Sequence, residues 1–389
     1  MARSRKGASL KRERDSGVAR LPRLRGFRVD DVRALHGAVP DREVAEAPLR
    51  VLVTGNAGFI GFHLAELLAR RGHTVFGLDA RVPEAPTPGV EHHACDLLDT
   101  DAVQRTIDAV RPDAIAHLAA VTHIHGTSLA DYAPNVAGVE HLSRAIARNG
   151  RVQRVVCTST QLVRRVGHAP RSDEDYDPAT VYGESKVRTE QIWRRADGGG
   201  TTWCLVRPTT IWGPGMNPHY LRFFGMIRKG RYVHVGRQAV HKTYGFVGNT
   251  THQYAQLLEA PAASIQRRTF YLGDYEPIDL RAWAEAFRAE LGAPPIRTVP
   301  VTVARAVAKV GDAVNAIGFD RFPFNSFRLR NVMTPSVVDL SATEAVCGPL
   351  PYSPGDGIVQ TATWLRANWS GSTAVPRIAA PERAVLRDA

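Results

Sequence analysis

Cysteine is scarce, and what there is forms no pattern: the 389 residues hold four, Cys95, Cys157, Cys204 and Cys347, with no C-x-x-C pair. That excludes a disulfide scaffold and a cysteine-ligated metal centre; with most of them in or beside apolar runs, buried free thiols in a reducing compartment are expected. Long apolar runs are missing too. No stretch approaches the roughly 18 consecutive apolar residues of a membrane helix, and the most apolar late segment, 299–317, is broken by Arg305, Lys309 and Asp312. Such a segment reads as an amphipathic helix, by default one with its apolar face in the core, and otherwise one suited to an apolar substrate or a membrane surface. Acidic residues are in deficit, 38 Asp and Glu against 50 Lys and Arg. Residues 1–30 alone hold ten Lys or Arg against three Asp or Glu, so most of the surplus belongs to the N-terminal stretch. The distribution argues against nucleic acid as a general partner and leaves it, or an anionic membrane, as an option for that stretch only. No apolar segment follows those basic residues, so a secretory signal is not expected and a cytoplasmic protein is.

What is present is the composition of a soluble globular chain, 44% hydrophobic and 23% charged. Residues 1–47 and 370–389 read as loose extensions. From Leu49 strand-like runs at 49–54, 74–78, 90–94, 114–118, 152–158 and 202–207 alternate with helical patterns at 60–71, 99–110, 134–149 and 180–196. This alternation predicts an α/β fold, a Rossmann-type doubly wound parallel sheet, over 48–208. After Pro208 the pattern turns irregular, with helical stretches near 219–229, 250–259, 279–291 and 355–367. A smaller, partly helical lobe, 209–369, mainly for substrate, is expected there.

The first strand runs into Gly55, Gly58 and Gly61 at G-x-x-G-x-x-G spacing, and a helix follows. Strand, glycine turn and helix N-terminus together make a pyrophosphate site: backbone can approach the phosphates, and unpaired N–H groups with a positive dipole end face them. Phe59 and Ile60 lie within that turn. Asp79 ends the second strand eighteen residues past Gly61, where an acid accepts from an adenosine ribose and repels a 2′-phosphate. NAD is therefore expected in preference to NADP, with Arg81 as the residue that could reverse the preference. Asp96 and Leu97 follow the third strand, where Asp96 suits an adenine edge or the cap of the next helix. Leu118, Ala119 and Ala120 end the fourth strand and leave room for a cofactor across the sheet edge.

Tyr182 and Lys186 stand four apart on a predicted helix and share a face. An ammonium beside a phenol favours the phenolate and suits the tyrosine to general acid/base work. The fifth strand ends in Cys157-Thr-Ser-Thr160, from which a hydroxyl could hold a reacting oxygen, although strand-end capping would use some of these groups.

These motifs, with His117-Leu-Ala-Ala120, Asn135-Val-Ala-Gly138 and Arg207-Pro-Thr-Thr-Ile-Trp-Gly-Pro214, resemble the extended short-chain dehydrogenase/reductase family, in particular its nucleotide-sugar epimerase/dehydratase branch, over about 49–367. The resemblance implies that Tyr182 is the catalytic acid/base, that Lys186 holds the nicotinamide ribose and that Thr160 orients a substrate hydroxyl. It places Asn135 at the cofactor, and Gln161, Thr210 and Lys242 at the substrate. It implies a nucleotide-sugar epimerase working through a transient ketone, and a homodimer through helices 99–110 and 134–149. The alternative is a net NAD(P)-dependent reductase or dehydrogenase of a ketosugar or an apolar, sterol-like alcohol. A non-catalytic dinucleotide sensor would not need Thr160, Tyr182 and Lys186. Departures from the family pattern are informative. Gln161-Leu162 stands where dehydratases carry Asp-Glu, which argues against dehydration. Arg164-Arg165 replaces Tyr-Gly and could bring charge to the sugar pocket. Thr210 replaces an amide. Lys242 replaces the arginine that in the family binds the phosphates of the nucleotide, keeping the charge but losing bidentate geometry, and Asn249 replaces an acid.

Overall fold

The apolar run that opens the motif region is strand β1 (Arg50–Thr54), and its alternation decides the layering. Val51 and Val53 face one side of the sheet and join one buried cluster; Leu52 faces the other and joins a second. Both faces being covered is why the strand reads as continuous apolar sequence. The computed structural model describes residues 48–83, 86–168, 170–216, 218–316 and 324–369. Residues 1–47 and 370–389, expected to be loose, lie outside the described residues.

Helix α1 (Phe59–Arg70), β2 (Thr74–Asp79), β3 (Val90–Ala94), α2 (Thr100–Val110), β4 (Ala114–His117), α3 (Ala133–Asn149), β5 (Arg154–Thr158), α4 (Val181–Ala196) and β6 (Thr202–Pro208) follow in turn. They build the doubly wound sheet that the alternation predicts. Every pairing is parallel and the order is β11-β6-β5-β4-β1-β2-β3. The seventh strand, β11 (Arg268–Leu272), comes from far along the chain, where short strands are expected only as part of the second lobe. Helix α6 (Val247–Glu259), expected as part of the second lobe, packs beneath this same sheet. Its Tyr254, Leu257 and Leu258 share a cluster with Leu64 and Leu68 of α1. Helices α2, α3 and α4 cover the opposite face through Ile107, Leu142, Ile146 and Trp193. All four cysteines are buried free thiols, as expected.

Most of the remaining elements form a third cluster rich in aromatics, while Ile265 and Cys347 join the first cluster and Ala304, Ala308 and Leu329 form a small fourth. Strand β7 (Thr210–Trp212), α5 (Pro218–Arg228), β8 (Val233–Val235), β9 (His241–Lys242) and β10 (Tyr244–Phe246) precede α6; the short α7 (Ala262–Ile265) follows it. Then come β12 (Ile278–Asp279), α8 (Leu280–Glu290), β13 (Arg297–Val299), α9 (Val301–Ala316), α10 (Ser326–Met333), α11 (Ser341–Cys347) and α12 (Pro354–Asn368). Trp212, Phe224, Trp283 and Phe287 interlock here, with the Phe224 and Phe287 rings 4.6 Å apart.

The amphipathic segment is helix α9, but its valines are not core. Ala304, Ala308 and Gly311 are the buried row, whereas Val303, Val307 and Val310 are 50%, 42% and 57% exposed. Small residues let α9 approach α10 closely, and that leaves the larger side chains outside.

Candidate active site

The glycine turn has no room for side chains. Gly55 has φ +77°, and a Cβ there would come within 2.7 Å of the Ala119 backbone nitrogen. A Cβ on Gly61 would lie 2.1 Å from the Gly55 carbonyl oxygen, so α1 can begin beside the turn only because this position is bare. Gly58 caps α1 with no side-chain bond, and no acid stands in the first turn, so the helix end is left electropositive. Phe59 and Ile60 form that turn and pack against the aromatic cluster. The donor set fits a dinucleotide pyrophosphate, with backbone N–H groups and a positive helix end, although the Asp79 carboxylate takes one of those donors, Ala57 N–H, at 3.3 Å.

Asp79 sits at the end of β2, 8% exposed. It accepts from Arg81 N–H at 2.9 Å and pairs with the Arg81 guanidinium at 3.6 Å. Asp96 is exposed and accepts from Leu98 N–H at 2.9 Å. It does not cap the next helix: Asp99 does, accepting from Ala102 N–H at 2.9 Å, because the chain takes three more residues to turn. Leu97 is buried. Leu118 and Ala119 donate their N–H groups to the Thr54 hydroxyl at 3.2 and 3.1 Å, and Ala120 continues the same half-buried strand end. The Thr54 hydroxyl also meets His117 Nδ1 at 2.8 Å. Burial, then the nearby Lys186 charge, pushes His117 down to about 3, so the ring is neutral. Asn135 is wholly buried. Its amide exchanges bonds with Val121 N–H (2.8 Å) and C=O (2.9 Å) and donates to Ser185 Oγ at 3.0 Å, tying the loop after β4 to α4.

Thr180 caps α4, accepting from Gly183 N–H at 3.0 Å. Tyr182 opens the helix, 7% exposed, its ring 5.9 Å from that of Tyr132. Lys186 is 2% exposed and donates to the Thr158 carbonyl at 3.0 Å; burial lowers it from the ordinary 10.5 to about 8. A Cβ on Gly183 would lie 2.3 Å from the Leu162 carbonyl oxygen, so the turn 161–163 packs directly on the start of α4. Thr160 caps that turn, accepting from Leu162 N–H at 3.2 Å, and Gln161 reaches Thr210 Oγ1 at 3.5 Å. Thr160, Gln161 and Thr210 are thereby brought to the start of α4, the helix that carries Tyr182 and Lys186.

Lys242 is not. It is 6% exposed on β9 and donates to the Asn331 carbonyl at 2.8 Å, tying β9 to α10. Arg164 also departs from expectation: it is buried, donating to the Asp175 carbonyl at 2.9 Å, the Tyr271 hydroxyl at 2.7 Å and the Ser172 carbonyl. Arg165 pairs with Asp177 at the surface. Neither brings free charge to a pocket, because the loop 164–177 uses both for its own closure. Asn249 donates to the Asp274 carboxylate at 2.8 Å, an acid standing just past the end of β11.

Sequence reasoning missed Glu190. It follows Tyr182 and Lys186 at i+8 and i+4 on the same helix face, and that register was the available signal. Its carboxylate is wholly buried and accepts from Arg207 at 2.8 and 2.7 Å, Ser159 at 2.6 Å and Tyr176 at 2.9 Å. Strand-end capping thus uses Ser159, while Thr158 meets the Tyr254 hydroxyl at 2.7 Å and Thr160 is left at the site.

The geometry has the parts of a dinucleotide enzyme, and the comparisons agree. The model of the NAD dependent epimerase/dehydratase family matches residues 51–273. A 3β-hydroxysteroid dehydrogenase/Δ5→4-isomerase of Mycobacterium tuberculosis is 32% identical over 252 residues, 60% of this chain and 67% of that protein. A 2-alkyl-3-oxoalkanoate reductase of Stenotrophomonas maltophilia is 30% identical over 258 residues, 64% and 77% of the two chains. Among solved structures, UDP-glucose 4-epimerase of Thermotoga maritima with UDP-glucose superposes with a TM-score of 0.64 at 19% identity, covering 82% of this chain and 99% of that one. At that identity the likeness is one of fold. With more than half its length matched, the chain belongs to the NAD dependent epimerase/dehydratase family.

Proposed function

We propose that the chain is a net NAD-dependent oxidoreductase interconverting an apolar secondary alcohol, sterol-like in class, and its ketone. The observation that carries this reading is Lys242: the cation at the position expected to meet a nucleotide diphosphate is buried and bonded to the Asn331 carbonyl. Arg164 is likewise committed, to its own loop and to the Tyr271 hydroxyl. Relatives named for steroid and alkyl-ketone substrates at 30–32% identity support the same choice.

Tyr182 gives or takes the proton at the substrate oxygen, and Thr160 orients that oxygen. Lys186, cationic below about pH 8, favours the phenolate and holds a ribose hydroxyl. Residues Gly55 to Gly61 receive the pyrophosphate, Asp79 the adenosine ribose, and Asp96 with Leu97 the adenine. Leu118 to Ala120 border the cofactor, and Asn135 positions that border. NAD supplies hydride exchange when bound. Residues 48–208 carry most of the cofactor site and 209–369 mainly enclose the substrate.

The second reading is an epimerase of a nucleotide-activated sugar, favoured by Gln161 and Thr210, a polar pair beside Thr160. The two differ in how they handle cofactor: an epimerase regenerates it within each turnover, whereas a net oxidoreductase must exchange it. Denaturing the purified chain and identifying released dinucleotide separates them. Little retained dinucleotide is expected; stoichiometric NAD would favour the epimerase. A homodimer through α2 and α3 is tested by light scattering.

A further inference from the structure

Helix α9 presents an outer face that nothing in the catalytic account uses. At about 100° per residue, three rows stand clear of the buried row Ala304, Ala308 and Gly311. Val303, Val307 and Val310 lie on one shoulder and Arg305 and Lys309 on the other; the exposed Ala306 and Ala313 lie between. The one acid of the helix, Asp312, accepts from Ser326 N–H at 3.1 Å at the start of α10. Single exposed valines are ordinary on a protein surface. A row of three valines and a row of cations flanking a strip of alanine on one exposed face is a pattern suited to a lipid interface, where apolar side chains enter the acyl boundary and cations meet phosphates.

We propose that the outer face of α9 docks onto an anionic lipid surface. The charge on the face chooses the partner. Arg305 and Lys309 are both exposed. A second copy of this chain is the poorer occupant, because a twofold contact sets each patch against itself and opposes like charges. The N-terminal stretch, with its surplus of seven positive charges in residues 1–30, would add attraction of the same sign. Docking would also hold the enzyme where an apolar substrate dissolves; that consequence rests on the oxidoreductase reading, whereas the docking itself does not.

The test is flotation of the full chain with vesicles of phosphatidylcholine alone and of phosphatidylcholine with phosphatidylglycerol, at low and raised salt. Binding to the anionic vesicles, weakened by salt, is expected. Combined Val303→Ser, Val307→Ser and Val310→Ser should weaken it about tenfold, since insertion of the apolar row is lost. Arg305→Glu with Lys309→Glu should weaken it at least as much. These positions are exposed, so the thermal midpoints should match wild type. Undiminished binding by both variants would place the attraction in the N-terminal stretch and overturn the proposal. So would equal binding to both vesicle types, or a dimer, seen by light scattering, that the serine substitutions dissociate.

Discussion

A phenol donates or accepts a proton at useful rates only where a neighbouring charge stabilises its anion, so the paired residues Tyr182 and Lys186 must be judged together. Tyr182→Phe should lower kcat by about two to four orders of magnitude, the usual loss when a general acid/base is removed, with NAD affinity by calorimetric titration nearly unchanged. A kcat near wild type would remove Tyr182 from the assigned role. Lys186 gives a pH dependence of definite sign. Burial disfavours its charged form and lowers it from 10.5 to about 8. The folded chain therefore loses this proton near pH 8, while the unfolded chain keeps it to about 10.5. Its burial weighs against the fold below pH 8, and that cost is relieved as pH rises through this window. NAD affinity should move the other way, falling as pH rises past 8 when the ammonium is lost. In Lys186→Met it should be flat over the same range, and a parallel fall there would contradict the assignment. At this scale the sequence was legible wherever function imposes a spacing, as in Gly55 to Gly61 or Tyr182 to Lys186. It was opaque where a side chain's partner comes from a distant segment. Nothing near Lys242 announces Asn331, and nothing near Arg164 announces Tyr271.

Helix α4 does two jobs with one face. Its N-terminal turn carries Tyr182 and Lys186; one turn further, Glu190 closes a buried network with Arg207, Ser159 and Tyr176. The network joins β5, β6, α4 and the loop before α4, and so fixes the strand end that presents Thr160. Glu190→Gln keeps the shape and leaves Arg207 buried without a counter-charge. Breaking such a pair costs about 3–5 kcal/mol, which urea denaturation should register as a lowered midpoint. A loss under about 1 kcal/mol, typical of exposed pairs, would mean that the network is not holding this charge. Elements read well where burial is two-sided or periodic: β1 through β6 and α1 through α4 fall close to their expected bounds. Strand β11 and helix α6 show the limit. Each is locally plain, but joining β6 and lying against α1 under β4 and β5 are long-range pairings that carry no local mark. Helix α9 shows another, since its period told that one face is apolar but not which face the protein would cover.

For the whole molecule, the central question is what the second, aromatic lobe encloses against the nicotinamide end of the site. The buried Lys242 leaves that lobe without the expected phosphate ligand, and an apolar alcohol needs none. The direct measurement is NADH formation by the purified full chain with NAD and a panel of hydroxysteroids and long-chain 3-hydroxy acids, run beside a chromatographic assay for isomers of UDP-sugars. Cofactor reduction with at least one apolar alcohol, abolished in Tyr182→Phe, is expected, with no isomerised sugar. Sugar isomers formed with no net NADH would contradict the oxidoreductase reading and assign the chain to the epimerases.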